Sequence, residues 1–368
     1  MTKRDVRIDS LRGIFLLIMI INHFGGPFQK FTSESLGFVS AAEGFIFISG
    51  FVFAFVYMRY IVDERKLFVN SFKRALLIYR YHLNLIFGVA IVAIFIHSYQ
   101  LYWKDILSPY FDYPIHYIVF EALLLHQPQY MDILPIYVIF VMAAPFILRS
   151  LHSGHEKIVL TVTLLLWILG QFINPFKAIV HVLHIGATPG YFNIFSWQIV
   201  WVLGMYAGFH KYSKRNISII ENRYVQIIAI LTAIILLIIR YKVITFPFNL
   251  DDLTDKMDLG IIRLMNTISH AVIIWMIVRN VPENRGILWL DFVGRYSLQI
   301  FSYHVFILYL SLPVKERLED VTGFWGYFLY ILLLVASLSL PVYLYENYKK
   351  YSVIIGSKLK YNAQKLIP

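Results

Sequence analysis

The amino-acid sequence predicts an all-α, polytopic membrane protein with about ten transmembrane helices. The first observation is composition: 59% of the 368 residues are hydrophobic and 15% are charged, whereas about one quarter of the residues in soluble domains are charged. The second is that the apolar residues form long segments, each close to the length that a bilayer requires. The third is that the basic residues concentrate in the short loops between those segments, as membrane orientation demands.

The length of each apolar segment predicts where the helices lie, because a transmembrane span needs about 20 mainly apolar residues. The ten segments that approach this length are 11–28, 42–61, 79–98, 132–150, 157–174, 193–210, 223–240, 260–279, 296–313 and 323–345. A further apolar stretch, 115–125, has about half the required length. We expect it to form a short re-entrant or interfacial helix.

The distribution of Lys and Arg predicts that both termini are cytoplasmic. With that orientation and with 115–125 not crossing, the inner side holds 24 of the 33 basic residues and the outer side holds nine. If 115–125 crossed the bilayer, every later loop would change sides and this bias would largely cancel. Ten spans therefore agree best with the rule that cytoplasmic loops carry the basic excess.

Several classes of protein are excluded by the same composition. The chain has no Cys, so disulfides, thiolate metal sites and a cysteine acyl intermediate are ruled out, and we expect no metal. The net charge of +11 does not form one basic stripe, so we expect no nucleic-acid partner. The first apolar segment lacks a small-residue cleavage site and is predicted to be retained. Without linkers or repeats, residues 1–368 are predicted to form a single membrane-embedded domain.

The first span contains two ionisable residues, Arg12 and His23. Such residues are costly in lipid and usually face a cavity or a partner. They are eleven positions apart, so on a helix they lie within about 20° of one face and roughly 16 Å apart along the axis. One face of the helix is thus predicted to present a cation at the cytoplasmic end and an imidazole near the outer end.

The second span begins with Glu43 at about the depth predicted for His23. A carboxylate beside a histidine stabilises the imidazolium and favours general-base catalysis. We therefore predict Glu43 as the partner of His23, although a histidine at a helix end is more often only an interfacial residue. Ser49 and Gly50 are small enough to let another helix or a narrow ligand come close.

Basic residues at the start of the third span suggest an anion site. Arg12, Arg74 and Arg80 could line a cytoplasmic funnel for a polyanionic ligand such as the phosphates of coenzyme A. The alternative is that these residues only set topology. Arg74 and Arg80 are six positions apart, on different faces of a helix, so one contact would not use both.

Polar residues in later segments are further candidates. Asp132, which follows His126, is either a helix N-cap or a site residue. In span six, Trp197 and Gln198 are possible donors to an oxyanion or a substrate. His304 is a second imidazole at mid-depth in span nine. Each of these, taken alone, is also explained by contacts between helices.

These segments resemble the OpgC family, within a wider superfamily of transmembrane acyltransferases. The first block is Asp9-x-Leu11-Arg12-Gly13, with His23 following ten residues after Arg12. The other matching blocks are Glu43-Gly-Phe-x-Phe-x-Ser49-Gly50, Arg74 to His82, His126-Gln127-Pro128 with Asp132-Ile133-Leu134-Pro135, Phe195-Ser196-Trp197-Gln198 with Leu203-Gly204, and Gly294-Arg295-Tyr296-Ser297 with Ile300-Phe301. The resemblance extends over nearly the whole chain.

The resemblance implies an enzyme of the bacterial inner membrane. Such a protein takes an acyl group from cytoplasmic acyl-CoA, in the named family succinyl-CoA, and places it on a hydroxyl of an extracytoplasmic glycan. In the named family the acceptor is an osmoregulated periplasmic glucan. The superfamily arginine and histidine correspond to Arg12 and His23.

Together with the residue patterns, the resemblance yields a set of expected roles. The expected catalytic residues are His23, Glu43 and Asp132; the expected acyl-CoA-binding residues are Arg12, Arg74, Arg80 and Ser49; the expected substrate-binding residues are Trp197, Gln198, His126 and His304. His23 would act either as a base or as the carrier of the acyl group. A transporter of a glycan or an acyl metabolite is the competing hypothesis, although the paired broken helices of many transporters are not evident. A receptor without chemistry is a third.

Overall fold

The computed structural model describes residues 4–348, apart from 97–101, 104–106, 108–110, 185 and 245. Helices account for 76% of the structure, and no strand occurs among the residues described. The helices are α1 Val6–Phe24, α2 Gln29–Thr32, α3 Ala41–Tyr57, α4 Glu64–Phe95, α5 Pro114–Ala122, α6 Ile133–His152, α7 Glu156–Gly170, α8 Pro175–Val182, α9 Ile194–Tyr212, α10 Ser218–Glu221, α11 Arg223–Arg240, α12 Asp251–Thr254, α13 Ile261–Val278, α14 Leu288–Arg295 and α15 Ser297–Ser337. A 3₁₀ turn, Met58–Tyr60, extends α3.

The predicted polytopic, all-helical membrane fold is confirmed. Within the described residues, seven helices are long and apolar enough to cross a bilayer, or eight if α7 and α8, which are bent by 51°, form one span. The two other predicted spans coincide with α1 and α9. α1 is not among the seven because it contains three charged residues, Arg7, Asp9 and Arg12. The count of ten and the cytoplasmic termini therefore remain predictions.

The predicted boundaries were wrong in one place that matters for the site. The third span was expected at 79–98, but α4 already begins at Glu64, where Asp63 caps it by accepting from the Lys66 amide. Arg74 and Arg80 thus lie on one continuous helix. The short stretch 115–125 does form a helix, α5, whose nine residues cover only about 13 Å, too little to cross a bilayer.

The last two predicted spans are joined by one kinked helix. Within α15, Gly323 has φ 59° and ψ −158°, which lies outside the helical region, so two helical segments meet there at a kink. The segments Ser297–Val314 and Gly323–Tyr348 on the two sides of this kink are both long enough to span.

Close helix contacts depend on small residues. A Cβ on Gly50 would lie 2.2 Å from the carbonyl oxygen of Trp201, and a Cβ on Gly204 would lie 2.0 Å from that of Phe47. α3 and α9 therefore pack almost backbone to backbone, as small residues allow in membranes. The expectation that Gly50 admits a second helix is confirmed.

The first half of α1 is fixed against α14 and the end of α13. A Cβ on Gly13 would overlap the carbonyl of Leu290, and Ser10 bonds to Asp291. The Arg7 guanidinium donates to the carbonyls of Val278 and Val281 at 2.9 and 2.6 Å. The helix that carries Arg12 and His23 is thus held rigidly at its start.

Candidate active site

His23, in the last turn of α1, faces a second histidine from α15. Its Nδ1 lies 3.0 Å from Nε2 of His304, so one nitrogen donates a hydrogen bond to the other. The rings stack with centroids 5.3 Å apart, and His304 is fully buried. Sequence analysis expected His304 to bind substrate, and only the fold brings it to His23.

Tyr130 packs against the same imidazole. The centroids of the Tyr130 and His23 rings are 4.7 Å apart. The φ angle of Tyr130 is 70°, a left-handed conformation that residues other than glycine rarely adopt and that often occurs at functional sites. Burial raises the pKa of its hydroxyl, which therefore stays protonated. Sequence analysis missed this residue because nothing in its local pattern marks it.

The chain turns sharply directly after His23. Gly25 and Gly26 have φ of 75° and 71°, and a Cβ on Gly26 would lie 2.3 Å from the Tyr327 ring. The Tyr327 hydroxyl donates to the carbonyl of Phe24 at 2.7 Å. The two glycines thus let the loop pass under Tyr327 and fix the end of α1.

The predicted pairing of Glu43 with His23 is wrong. The Glu43 carboxylate is fully buried, and its Oε1 accepts from Nη1 of Arg263 at 2.9 Å. Its Oε2 accepts from the backbone N–H of Ser40 at 2.9 Å and from the Ser40 hydroxyl at 2.5 Å. The physical reason is that a buried arginine requires a counter-charge, and Ser40 and Glu43 form a capping box.

Part of this arrangement was visible in the sequence. The Ser40-x-x-Glu43 pattern is the signature of a capping box, and Arg263 lies within the eighth predicted span. In the structure, Arg263 also pairs with Glu34 at 2.5 Å, and Arg240 pairs with Glu34 at 3.2 Å. These charges join α3, α11 and α13 at the His23 end of the bundle.

Asp132 and His126 hold one loop against another. The Asp132 carboxylate accepts from the N–H of Tyr191 at 3.1 Å and makes no side-chain cap on α6. Nδ1 of His126 accepts from the N–H of Thr188 at 2.8 Å. Burial raises the pKa of Asp132 to about 6 and lowers that of His126 to about 4. Asp132 thus occupies the N-cap position of α6 without capping it through its side chain, and the expected roles of Asp132 and His126 in the site stay predictions.

The expected roles of Trp197 and Gln198 also need correction. Trp197 is fully buried, and its single N–H donates to the carbonyls of Lys256 and Met257 at 3.0 and 3.1 Å. Gln198 donates to the carbonyl of Thr163 on α7 at 2.8 Å. Since these donors are already engaged, both residues join segments of the fold, which is the alternative that the sequence left open.

Arg12 is a cation without a partner acid. It takes part in none of the ion pairs between described residues. Its buried Nε lacks a hydrogen bond to any of them. The guanidinium lies over Phe45, 5.7 Å from the ring centroid. Arg74 is close enough to interact with it electrostatically.

Arg80 and Ser49 differ from Arg74 in their surroundings. Arg80 is exposed, whereas Arg74 is partly buried and interacts with Tyr57, Tyr81 and Tyr345. Of these two arginines, Arg74 and not Arg80 approaches Arg12, because Arg80 lies on another face of α4. The funnel itself stays a prediction. Ser49 is buried beside the hydroxyl of Tyr137.

An aromatic wall connects the two ends of α1; we use this name for Phe45, Phe301 and His304. Arg12 lies over Phe45, which stacks on Phe301 with centroids 6.4 Å apart. Phe301 meets His304 edge-on at 4.8 Å, and His304 bonds to His23. The three side chains are buried and form a continuous chain of contacts from Arg12 to His23.

Comparison with known proteins agrees with these motifs. A family model described as OpgC protein matches residues 4–350, nearly the whole chain. Searches of curated proteins and of solved structures gave no match.

Proposed function

Since this chain belongs to the OpgC family, a family of membrane acyltransferases of the glucan succinyltransferase type, we propose that it transfers a succinyl group from cytoplasmic succinyl-CoA to a hydroxyl of an extracytoplasmic glycan. The observation that carries the proposal is the His23–His304 pair, 3.0 Å apart, at the far end of the helix that bears the unpaired Arg12. The inner bacterial membrane is the expected location because both substrates are accessible only there.

His23 is the general base in this proposal. When its Nδ1–H donates to Nε2 of His304, its own Nε2 keeps a lone pair for the glycan hydroxyl. The hydroxyl oxygen attacks the thioester carbonyl while its proton passes to His23, and the imidazolium is stabilised by His304. Collapse of the tetrahedral intermediate breaks the C–S bond, and the departing thiolate takes the proton from His23.

Arg12 and Arg74 hold the nucleotide end of the donor. Guanidinium groups suit phosphates because they donate several hydrogen bonds and remain charged. Eleven residues separate Arg12 from His23, a distance of roughly 16 Å along α1, which is comparable to an extended pantetheine arm. The pantetheine arm would run along the aromatic wall. The residues of this wall carry no negative charge that could compete with the phosphates of the donor for Arg12.

A direct assay tests the proposed reaction. Purified protein in detergent, supplied with succinyl-CoA and a neutral glucan, should release CoA and form a succinyl ester that mass spectrometry detects. His23→Ala should lower the rate by about 10²- to 10⁴-fold, the usual contribution of a general base. His152→Ala, at an exposed histidine on α6, is the matched control and should have no effect.

The same assay separates the competing hypotheses. CoA release at the background rate, or release that His23→Ala leaves unchanged, would exclude the enzyme. A transporter would instead move the glycan across a vesicle membrane without consuming succinyl-CoA. Acid-quenched protein incubated with the donor alone shows whether an acyl-histidine forms, since only that route leaves a labelled protein.

A further inference from the structure

Acyl transfer requires a hydrogen-bond donor as well as a base, because the thioester carbonyl oxygen becomes an oxyanion in the tetrahedral intermediate. Sequence analysis expected that donor in Trp197 or Gln198, whose side-chain N–H groups are engaged by backbone carbonyls. The Tyr327 hydroxyl also donates to a carbonyl, that of Phe24, directly after His23. Each of these three side chains therefore already has an acceptor within the fold.

Tyr130 differs from these residues because its hydroxyl is uncommitted. No hydrogen bond joins it to any residue that the structure describes, and its side chain is only partly buried. Its ring lies against that of His23, with centroids 4.7 Å apart. A base about 3 Å from the attacking hydroxyl and a donor about 3 Å from the oxyanion lie on two sides of one carbonyl group. Two neighbouring rings at this distance meet that requirement.

The turn that carries Tyr130 holds it in a conformation that suits glycine. The N–H of Met131 donates to the carbonyl of Pro128 at 3.0 Å, so Tyr130 is the third residue of a β-turn. Its φ of 70° is typical of that position in a type II turn, where glycine or asparagine is the usual residue. A tyrosine there is strained, and such strain concentrates at functional sites. The turn itself therefore does not explain why a tyrosine occupies this position.

The same helix positions the turn and the partner of His23. The hydroxyl of Tyr309 donates to the carbonyl of Gln129 at 2.8 Å, which fixes the peptide group directly before Tyr130. Tyr309 is buried and lies on α15, five residues after His304. α15 thus holds both the imidazole that bonds to His23 and the turn that presents Tyr130, so the distance between the base and the free hydroxyl is well defined.

We propose that the Tyr130 hydroxyl is the oxyanion donor of the reaction. This inference rests on the proposed acyl transfer and adds a second catalytic residue to it. When the glycan hydroxyl attacks, the π electrons of the thioester carbonyl move to its oxygen, and Tyr130 donates a hydrogen bond to that oxygen while keeping its own proton. The electron pair then re-forms the C=O bond, the C–S bond breaks, and the thiolate takes the proton held by His23.

Tyr130→Phe tests the proposal because it removes only the hydroxyl. The variant should lower kcat by about 10²-fold, a usual loss for one oxyanion donor, with KM for succinyl-CoA nearly unchanged. Hydrolysis of succinyl-CoA without glycan also passes through an oxyanion, so its rate should fall by the same factor. The matched control is Tyr241→Phe, whose exposed hydroxyl donates to the carbonyl of Ser35 at 3.3 Å; it should have no effect on either rate.

Binding of a donor analogue separates chemistry from packing. S-(3-carboxypropyl)-CoA has the chain length of succinyl-CoA but a methylene group in place of the thioester carbonyl, so it forms no oxyanion. Its Kd should be the same for the wild type and for Tyr130→Phe. Tyr130→Gly is a second variant, since glycine adopts the φ of this turn without strain. It should fold and should lose at least as much kcat as Tyr130→Phe.

Each outcome supports or overturns the role of the hydroxyl. An unchanged kcat in Tyr130→Phe, or a loss confined to KM and to the Kd of the analogue, would overturn it. A fall in transfer without a fall in hydrolysis would also overturn it, since Tyr130 would then act on the glycan. Failure of the acyl-transfer proposal itself would be seen differently, as wild-type CoA release at background or unaffected by His23→Ala. Equal losses of transfer and hydrolysis with intact analogue binding support the oxyanion role.

Discussion

At the scale of single residues, the His23 imidazole is enclosed by aromatic side chains from distant parts of the sequence. The rings of both His304 and Tyr130 contact it, and neither residue is near His23 along the chain. A histidine accepts a proton only if the resulting charge is stabilised. In this bundle the adjacent polar group is a second imidazole, because the expected carboxylate of Glu43 neutralises Arg263.

Removing the partner imidazole should impair catalysis more than binding. His304→Leu leaves His23 without its hydrogen bond and should lower kcat by about 10²-fold, within the range for acid–base assistance, with little change in KM. His304→Gln keeps a hydrogen-bonding group near Nε2 and should recover part of the rate. Steady-state kinetics on purified variants measures both, and equal loss in the two variants would argue that His304 is needed only for packing.

The Tyr130 ring should keep water away from the acyl group. Tyr130→Ala removes the cover over His23 and should raise the ratio of succinyl-CoA hydrolysis to glycan acylation several-fold, because exclusion of water protects reactive groups. Tyr130→Phe keeps the ring and should preserve the wild-type ratio. Free succinate and succinylated glycan are measured in one reaction, and a parallel fall of both products would count against this role.

At the scale of helices, charge pairing and close packing set the positions of the candidate site residues. Arg263, 3% exposed, and Glu43, 0% exposed, connect α13 to α3. Gly50 and Gly204 let α3 approach α9. These contacts place Phe45 of α3 beside Arg12 of α1 and build the aromatic wall from two helices, α3 and α15.

Breaking the buried ion pair should affect stability and not chemistry. Glu43→Gln removes the more buried of the two carboxylates that pair with Arg263, while Glu34 remains. The expected cost is therefore below the roughly 3–5 kcal/mol of a buried charge that loses every partner. We expect a lower thermal midpoint in detergent but near-normal kcat per folded molecule. The double variant Glu43→Gln with Arg263→Met should recover part of the midpoint. A full loss of kcat in a stably folded Glu43→Gln variant would instead support the catalytic role that the sequence predicted for Glu43.

At the scale of the whole molecule, the fold is a bundle whose outer faces are apolar. Residues such as Ile228, Leu231 and Ile235 on α11 are exposed, as expected for a lipid-facing helix. The buried polar groups, in contrast, lie inside the bundle on many of its helices, among them Asp9 of α1, Glu43 of α3 and Arg263 of α13.

The predicted orientation can be tested cleanly because the chain has no Cys. Ser153→Cys and Asp252→Cys place single thiols at exposed positions in loops predicted to be cytoplasmic and extracytoplasmic. A membrane-impermeant maleimide applied to spheroplasts should label Asp252→Cys and not Ser153→Cys until the membrane is opened. The opposite pattern would reverse the assignment of both termini.

Much of the fold was predictable because length and hydropathy are local properties. All ten predicted segments coincide with helices in whole or in part, although α4 starts earlier, because its charged first turns are helical without being apolar. The Arg12 and His23 positions could also be predicted, since both lie on one helix. The partner of the Glu43 carboxylate could not be predicted, because it depends on which helix packs beside α3.

The sequence by itself determined the membrane class, the family and the polar face of the first helix, since these follow from composition, motif and helical periodicity. Only the tertiary structure decided that His304 rather than Glu43 meets His23, and that Arg74 rather than Arg80 approaches Arg12. The physical reason is that pairing inside a bundle is fixed by helix packing and by competition among buried charges. Neither helix packing nor the competition among buried charges can be predicted from the spacing of residues within one segment.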